Sequence, residues 1–120
     1  MKKENIIFLE HIVSSIEKIE SFSKGLSKEK FIVDELRQSA LIRQIEIIGE
    51  AVKNLPIDFI NKYPFVPWGD IAGMRDKLMH HYFGVDLETV WKVVEENIPI
   101  LKKQIKDILS NERNLKETHA

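Results

Sequence analysis

The chain has 120 residues, of which 43% are hydrophobic and 31% are charged, and it contains no cysteine. This length and composition are typical of one globular domain, and the lack of cysteine excludes disulfides and thiol chemistry. The net charge of −1 is spread evenly along the chain, so no basic tract predicts non-specific binding to nucleic acid. No signal peptide or membrane-spanning run is recognisable, so we expect a cytoplasmic protein with no membrane partner.

Apolar residues recur every three or four positions in four segments, which predicts four amphipathic helices. The first helix ends at Lys24, before Gly25, and the segment Ser27–Ile32 adds a short helical turn. The second helix begins after Asp34, a typical N-cap residue, and ends at Pro56. Its predicted core face comprises Leu36, Ala40, Leu41, Ile45, Ile48 and Val52.

The third helix is predicted to begin near Pro67, a residue suited to a first turn, and to end at about Phe83. Asp86 is expected to cap a fourth helix, whose apolar seam runs to Leu109. Pro99 lies inside that seam and predicts a kink or break, because proline removes a helical hydrogen bond.

The four helices predict an all-α fold, an antiparallel four-helix bundle with short additional helical turns. Residues 1–120 are expected to form a single domain, in which the polar residues 110–120 are a flexible tail. The large aromatic side chains are expected in or near the core, namely Phe8, Phe22, Phe31, Phe59, Phe65, Trp68 and Trp91.

Side chains that carry chemistry are concentrated between Trp68 and Asp86, where Arg75, His80 and Tyr82 lie close together in sequence. Histidine is a general acid or base at neutral pH, and the guanidinium group of arginine matches phosphate oxygens. Together they are sufficient to cleave RNA with the ribose 2′-hydroxyl as the nucleophile. The adjacent histidines point about 100° apart on a helix and are poor joint ligands, so neither a metal nor another cofactor is expected.

A purely structural interpretation remains open at this point, in which Arg75 pairs with Asp70 or Asp76 and the aromatic ring is half-buried. Helix geometry also separates the candidates. On a straight helix, positions 75 and 82 share a face, whereas positions 75 and 80 differ by about 140°. Either the helix is distorted before Gly84, or a second subunit completes the site.

The run W-G-D-I-A-G-M-R-D-K-L-M-H-H-Y-F-G-V-D contains the pattern R-x4-H-x-Y. A second patch lies in the preceding helix and comprises Ala40, Arg43, Glu46, Ile47, Ile48, Gly49, Glu50 and Ala51. Together the two segments resemble the signature of HepT-like proteins, a branch of the HEPN superfamily. The resemblance covers essentially the whole chain in length and helix order.

This resemblance implies that the chain is a HEPN-like ribonuclease toxin that forms a homodimer, with the motif at a cleft between protomers. Arg75 and His80 would be the catalytic pair. Asp76 would support them by orienting the arginine or tuning the histidine. Lys77 is a candidate RNA contact, and His81, at a variable position of the motif, is either an RNA contact or a bystander.

The resemblance also implies a partner, an MntA-like nucleotidyltransferase antitoxin that transfers AMP from ATP to Tyr82 and silences the toxin in this type VII-like system. Two other functions remain open from the residues. In the first, the chain is a non-catalytic partner subunit of a nucleotidyltransferase. In the second, it is a nucleotide-binding HEPN protein in which Arg75 holds a phosphate.

Overall fold

The computed structural model describes residues 3–79 and 86–118. Throughout these ranges the fold is all-helical, without a strand, which confirms the predicted class. The elements are α1 Lys3–Ser23, α2 Lys28–Ile32, α3 Glu35–Lys53, α4 Ile57–Lys62, α5 Trp68–Met79, α6 Leu87–Lys92, a π-helical segment Val93–Asn97, and α7 Ile98–Thr118. None of these helices is long and apolar enough to cross a membrane.

Local sequence signals set the helix ends as predicted. Gly25, after α1, has a φ of 77°, a left-handed conformation that glycine adopts without steric cost. Asp34 accepts a hydrogen bond from the backbone N–H of Arg37 at 3.0 Å. Asp86 accepts from the N–H of Thr89 at 3.2 Å, and so caps α6. Both caps satisfy backbone donors that have no partner inside the helix.

The long helices pack as a bundle, in which α3 lies against both α1 and α5, and α7 lies against α1. Their predicted apolar faces form the core, which includes Leu9, Ile16, Leu41, Ile45, Ile48, Val52, Val90, Leu101, Ile105 and Ile108. Both tryptophans are core residues, as predicted. The ring of Trp91 packs against that of Phe31, with 5.3 Å between the ring centroids, and this contact joins α6 to α2.

Two predicted core residues lie at the surface. Leu36 lies in the first turn of α3 and is 81% exposed. Phe65 is 56% exposed, and its ring packs edge-to-face with that of Tyr63 at a centroid distance of 6.1 Å. The backbone carbonyl of Phe65 accepts a hydrogen bond from Gln104, which ties the segment between α4 and α5 to α7.

The predicted interruption at Pro99 is confirmed, and it takes the form of the π-helical segment. There the N–H of Ile98 donates to the carbonyl of Val93, five residues earlier. This wider turn accommodates the proline, which has no N–H to donate.

The C-terminal residues differ from the predicted polar tail, because α7 continues through Thr118. Glu112 is only 2% exposed. It accepts hydrogen bonds from Lys62 Nζ at 2.7 Å and from the hydroxyl of Tyr63. Asn111 Nδ2 also donates to that hydroxyl, at 2.9 Å. These contacts connect Asn111 and Glu112 of α7 to Lys62 and Tyr63 at the end of α4.

Candidate functional site

The helix that carries the motif, α5, is anchored along the turns that precede His80. At its start, Trp68 is buried, and its Nε1 donates to the carbonyl of Tyr63 at 2.9 Å. Further along, Ile71 is 7% exposed and Leu78 is 1% exposed. Arg75 lies one turn from each of these two buried residues, so core packing fixes the height and rotation of its backbone in the bundle.

Asp76 is exposed on α5, and its carboxylate Oδ2 lies 3.7 Å from Lys53 Nζ at the end of α3. Both side chains are well exposed, at 54% and 38%, so the pair stabilises the fold by about 1 kcal/mol or less. The pair shows that the end of α3 lies beside the helix that carries Arg75. The predicted supporting role of Asp76 in catalysis stays a prediction.

Several predicted site residues lie outside the part of the chain that the structure describes. These are His80, His81 and Tyr82, together with the side chains of Arg75 and Lys77. The approach of the catalytic pair, the contacts with RNA and the modification of the tyrosine therefore remain predictions.

One face of α5 is open. Gly69 and Gly73 are exposed, and a Cβ atom built at either position would lie more than 4 Å from every described residue outside its own stretch of helix. A groove of about 530 Å³ runs beside them, with Thr89 and Lys92 of α6 on its other side. The small residues therefore serve no close helix contact within the described chain.

The second patch lies on α3, the helix that packs directly against α5. Arg43 Nη1 lies 3.6 Å from Glu46 Oε2, one turn further along the same helix. Gly49 and Ala51 are buried. Within residues 3–79 and 86–118, no group of three histidine or acidic side chains is arranged to hold a metal ion.

Sequence reasoning missed the buried network of Lys62, Tyr63 and Glu112. Burial raises the pKa of Glu112, but the hydrogen bonds from the other two side chains outweigh it and hold this pKa below its usual value. The hydrogen bond from Lys62 to Glu112 raises the pKa of Lys62. Burial, together with its own hydrogen bond to Glu112, raises the pKa of Tyr63. Because the Tyr63 carbonyl also receives the bond from Trp68, the network supports the start of α5.

Comparison with known proteins gives this arrangement a family. Residues 12–108 match the family model described as Ribonuclease HepT-like. The "Probable ribonuclease HepT" of Thermococcus cleftensis is 50% identical over 102 residues, which cover 85% of this chain and 93% of that protein. "Putative RNase TTE0752" of Caldanaerobacter subterraneus subsp. tengcongensis is 49% identical over 106 residues, covering 88% of this chain and 95% of that protein.

A third relative is longer. "Gamma-glutamylcyclotransferase and putative RNase MJ0434" of Methanocaldococcus jannaschii is 49% identical over 109 residues, which are 91% of this chain. The chain spans about half of that relative, 49% of its length. No solved structure matches the chain significantly.

These relatives and the family model define one class, proteins named for ribonuclease activity. The chain belongs to the HepT-like ribonuclease family, because the family model covers most of its length.

Proposed function

We propose that this chain is a metal-independent endoribonuclease and the toxin of a toxin–antitoxin pair. Family membership supports this function most directly, because the match spans the α3 patch and the complete R-x4-H-x-Y motif. The anchored backbone of α5 adds a physical reason. A catalytic arginine needs a rigid support, and Arg75 is attached to a helix that buried side chains hold on both sides.

In the proposed reaction, His80 accepts the proton of a ribose 2′-hydroxyl, and the 2′-oxygen attacks the adjacent phosphorus. The bond from phosphorus to the 5′-oxygen of the next nucleotide breaks, and that oxygen takes up a proton. The products carry a 2′,3′-cyclic phosphate and a 5′-hydroxyl. Arg75 stabilises the negative charge that develops on the non-bridging phosphate oxygens.

The proposal includes a homodimer in which Arg75 of one protomer acts with His80 of the other. Two features support a site completed by a second copy. Positions 75 and 80 differ by about 140° on a straight helix, so one helix presents them on different faces. The open face of α5 at Gly69 and Gly73 also leaves room for another chain.

The proposal also includes control by an MntA-like nucleotidyltransferase antitoxin. The phenolic oxygen of Tyr82 attacks the α-phosphorus of ATP, pyrophosphate leaves, and the tyrosine loses its proton and carries AMP. On a regular helix, positions 75 and 82 lie within about 20° of each other. An anionic AMP group on Tyr82 would therefore compete with the substrate phosphate for Arg75.

Incubation of RNA with purified, unmodified protein in EDTA tests the nuclease function. We expect wild type to cleave, and we expect Arg75→Ala and His80→Ala each to reduce the rate roughly 10²- to 10⁴-fold. His119→Ala also removes an imidazole, but it lies outside the motif and is the matched control. Intact RNA with wild type, or equal rates in the motif variants, would contradict the proposal and would favour a non-catalytic partner subunit.

The control by AMP has its own test. After exposure to the antitoxin and ATP, the mass of the wild-type chain should rise by one or more AMP units, and its cleavage of RNA should stop. Tyr82→Phe lacks the hydroxyl and should show neither change. If Tyr82→Phe is still modified and silenced, another residue accepts the AMP.

A further inference from the structure

A groove between α1 and α3 has no role in the function proposed above. It has a volume of about 290 Å³, and its lining includes Phe8, His11, Arg43, Glu46, Glu50 and Asn54. Phe8 is half-buried and supplies an aromatic wall, whereas the charged groups come mainly from α3. The groove therefore combines an aromatic surface with hydrogen-bonding side chains, as sites for single nucleobases do.

The groove lies close to the helix that carries Arg75. Glu46 and Lys53 are seven residues apart on α3, which is about two turns, so they share a face and are separated by about 10 Å along the helix axis. Lys53 in turn lies 3.7 Å from Asp76, the residue that follows Arg75. A nucleotide that flanks a bond cut beside Arg75 is therefore within reach of this groove.

The Arg43–Glu46 pair defines the chemistry of the occupant. The two side chains are 3.6 Å apart; the Glu46 side chain is only 17% exposed, whereas that of Arg43 is 67% exposed. A carboxylate repels phosphate but accepts N–H donors from the edge of a base. A guanidinium group beside it donates to a carbonyl oxygen of the same base.

Guanine matches the donors and acceptors of this pair. Its Watson–Crick edge presents one carbonyl acceptor, O6, followed by two donors, the N1–H and the 2-amino group. The carboxylate of Glu46 has two oxygens for the two donors, and Arg43 has N–H groups for O6. Uracil offers a single donor between two carbonyl oxygens. One of these oxygens would face the carboxylate of Glu46, and two acceptors repel each other.

We propose that this α1–α3 groove is a base-recognition subsite, in which Glu46 and Arg43 select a guanine near the cleaved bond and Phe8 packs against its ring. The inference rests on the proposed ribonuclease function and adds a sequence preference to it. Glu46 and Arg43 are specificity residues in this account and take no part in bond cleavage.

Binding and cleavage are measured separately to test the subsite. The binding probes are 2′-O-methyl hexamers of uridine that carry one guanosine or one inosine at each position in turn; they cannot be cut by the proposed mechanism. Inosine keeps N1–H and O6 but lacks the 2-amino group. We expect wild type to prefer guanosine over uridine by about tenfold or more at one position, with inosine intermediate.

Three variants complete the experiment. Glu46→Gln keeps the shape of the side chain but loses the carboxylate, and it should abolish most of the guanosine preference. Arg43→Lys, at an exposed position, should lower the same preference because it loses the planar fork, and it carries the test if Glu46→Gln does not fold. Glu17→Gln makes the same change of charge on an exposed part of α1 and should behave as wild type.

Cleavage of the corresponding all-ribose hexamers separates the two proposals. A guanosine preference that depends on Glu46, without cleavage, would support the subsite and overturn the nuclease function. Cleavage with no guanosine preference, or with a preference that survives in both Glu46→Gln and Arg43→Lys, would support the nuclease and overturn the subsite. Absence of both preference and cleavage would overturn both.

Discussion

Glu112 provides a sharp test of how the bundle supports the motif helix. Its carboxylate is buried at the end of α7 and accepts hydrogen bonds from Lys62 and Tyr63 of the α4 region. Glu112→Gln preserves the size of the side chain but removes the charge, and it introduces an amide NH₂ group into a site whose neighbours are donors. We expect this substitution to lower the free energy of unfolding.

The magnitude follows from the two bonds. A hydrogen bond to a charged group stabilises a protein by about 1.5–3 kcal/mol. Lys62 is 46% exposed, so solvent reduces its share to about 1 kcal/mol or less. Because glutamine retains one acceptor oxygen, we expect a net loss of about 2 kcal/mol. In a chain of this size, that loss lowers the melting temperature by about 8 °C.

The assay is thermal unfolding followed by circular dichroism, with all proteins at the same concentration. Glu17→Gln, an exposed change of the same charge, is the control and should shift stability by no more than about 0.5 kcal/mol. A melting temperature for Glu112→Gln equal to that of the control would refute the assignment of a stabilising buried carboxylate.

The same variant carries a pH signature. Because the folded-state pKa of Glu112 is lowered from 4.5, its charged form contributes stability above about pH 4.5, and this stability is lost as the pH falls through the folded pKa. The difference between wild type and Glu112→Gln should therefore be largest near neutral pH and shrink in acid. A difference that stays constant from neutral pH into acid would contradict the charged hydrogen bonds.

Substitutions at three further positions compare a buried, an exposed and a capping residue. Leu78→Ala should lower the free energy of unfolding by about 2–5 kcal/mol, because Leu78 is only 1% exposed. Leu36→Ala, at an 81% exposed position, should change it by no more than about 0.5 kcal/mol. Denaturant unfolding measures both, and equal losses would contradict the described packing. Asp86→Ala should cost about 1 kcal/mol in the same assay because α6 loses its N-cap, and Asp86→Asn, which keeps a capping oxygen, should recover most of it.

The sequence predicts features whose cause is local. Asp34, Gly25 and Asp86 mark helix ends through their own backbone or side-chain chemistry, and each one lies where the pattern places it. The helical period also identifies Leu41, Ile45, Ile48 and Val52 of α3 as buried, but it misses the buried Gln44 and wrongly includes the exposed Leu36. Periodicity shows which residues share a face, but it does not show where along the helix the neighbouring element ends.

The missed features depend on distant parts of the chain. Glu112 is charged and lies in a polar stretch, and only its partners in α4, about 50 residues away, give it a buried role. The groove beside Arg43 and Glu46 likewise requires Phe8 of α1, which no spacing within α3 indicates. In the candidate site, the sequence motif gives the types of the residues. Only the structure shows that buried side chains hold α5, which carries Arg75, in a fixed position in the bundle. The meeting of Arg75 and His80 remains a prediction because it depends on side chains outside the described residues.

The central claim is RNA cleavage by the 2′-hydroxyl with Arg75 and His80. The most direct measurement is mass spectrometry of the products from an RNA that wild type cleaves in EDTA, beside the same RNA with a single 2′-deoxy nucleotide on the 5′ side of the cut. We predict a 2′,3′-cyclic phosphate and a 5′-hydroxyl from the first RNA and no cut at that position in the second. Cleavage of the 2′-deoxy substrate at the same bond, or products with a 5′-phosphate, would contradict the account.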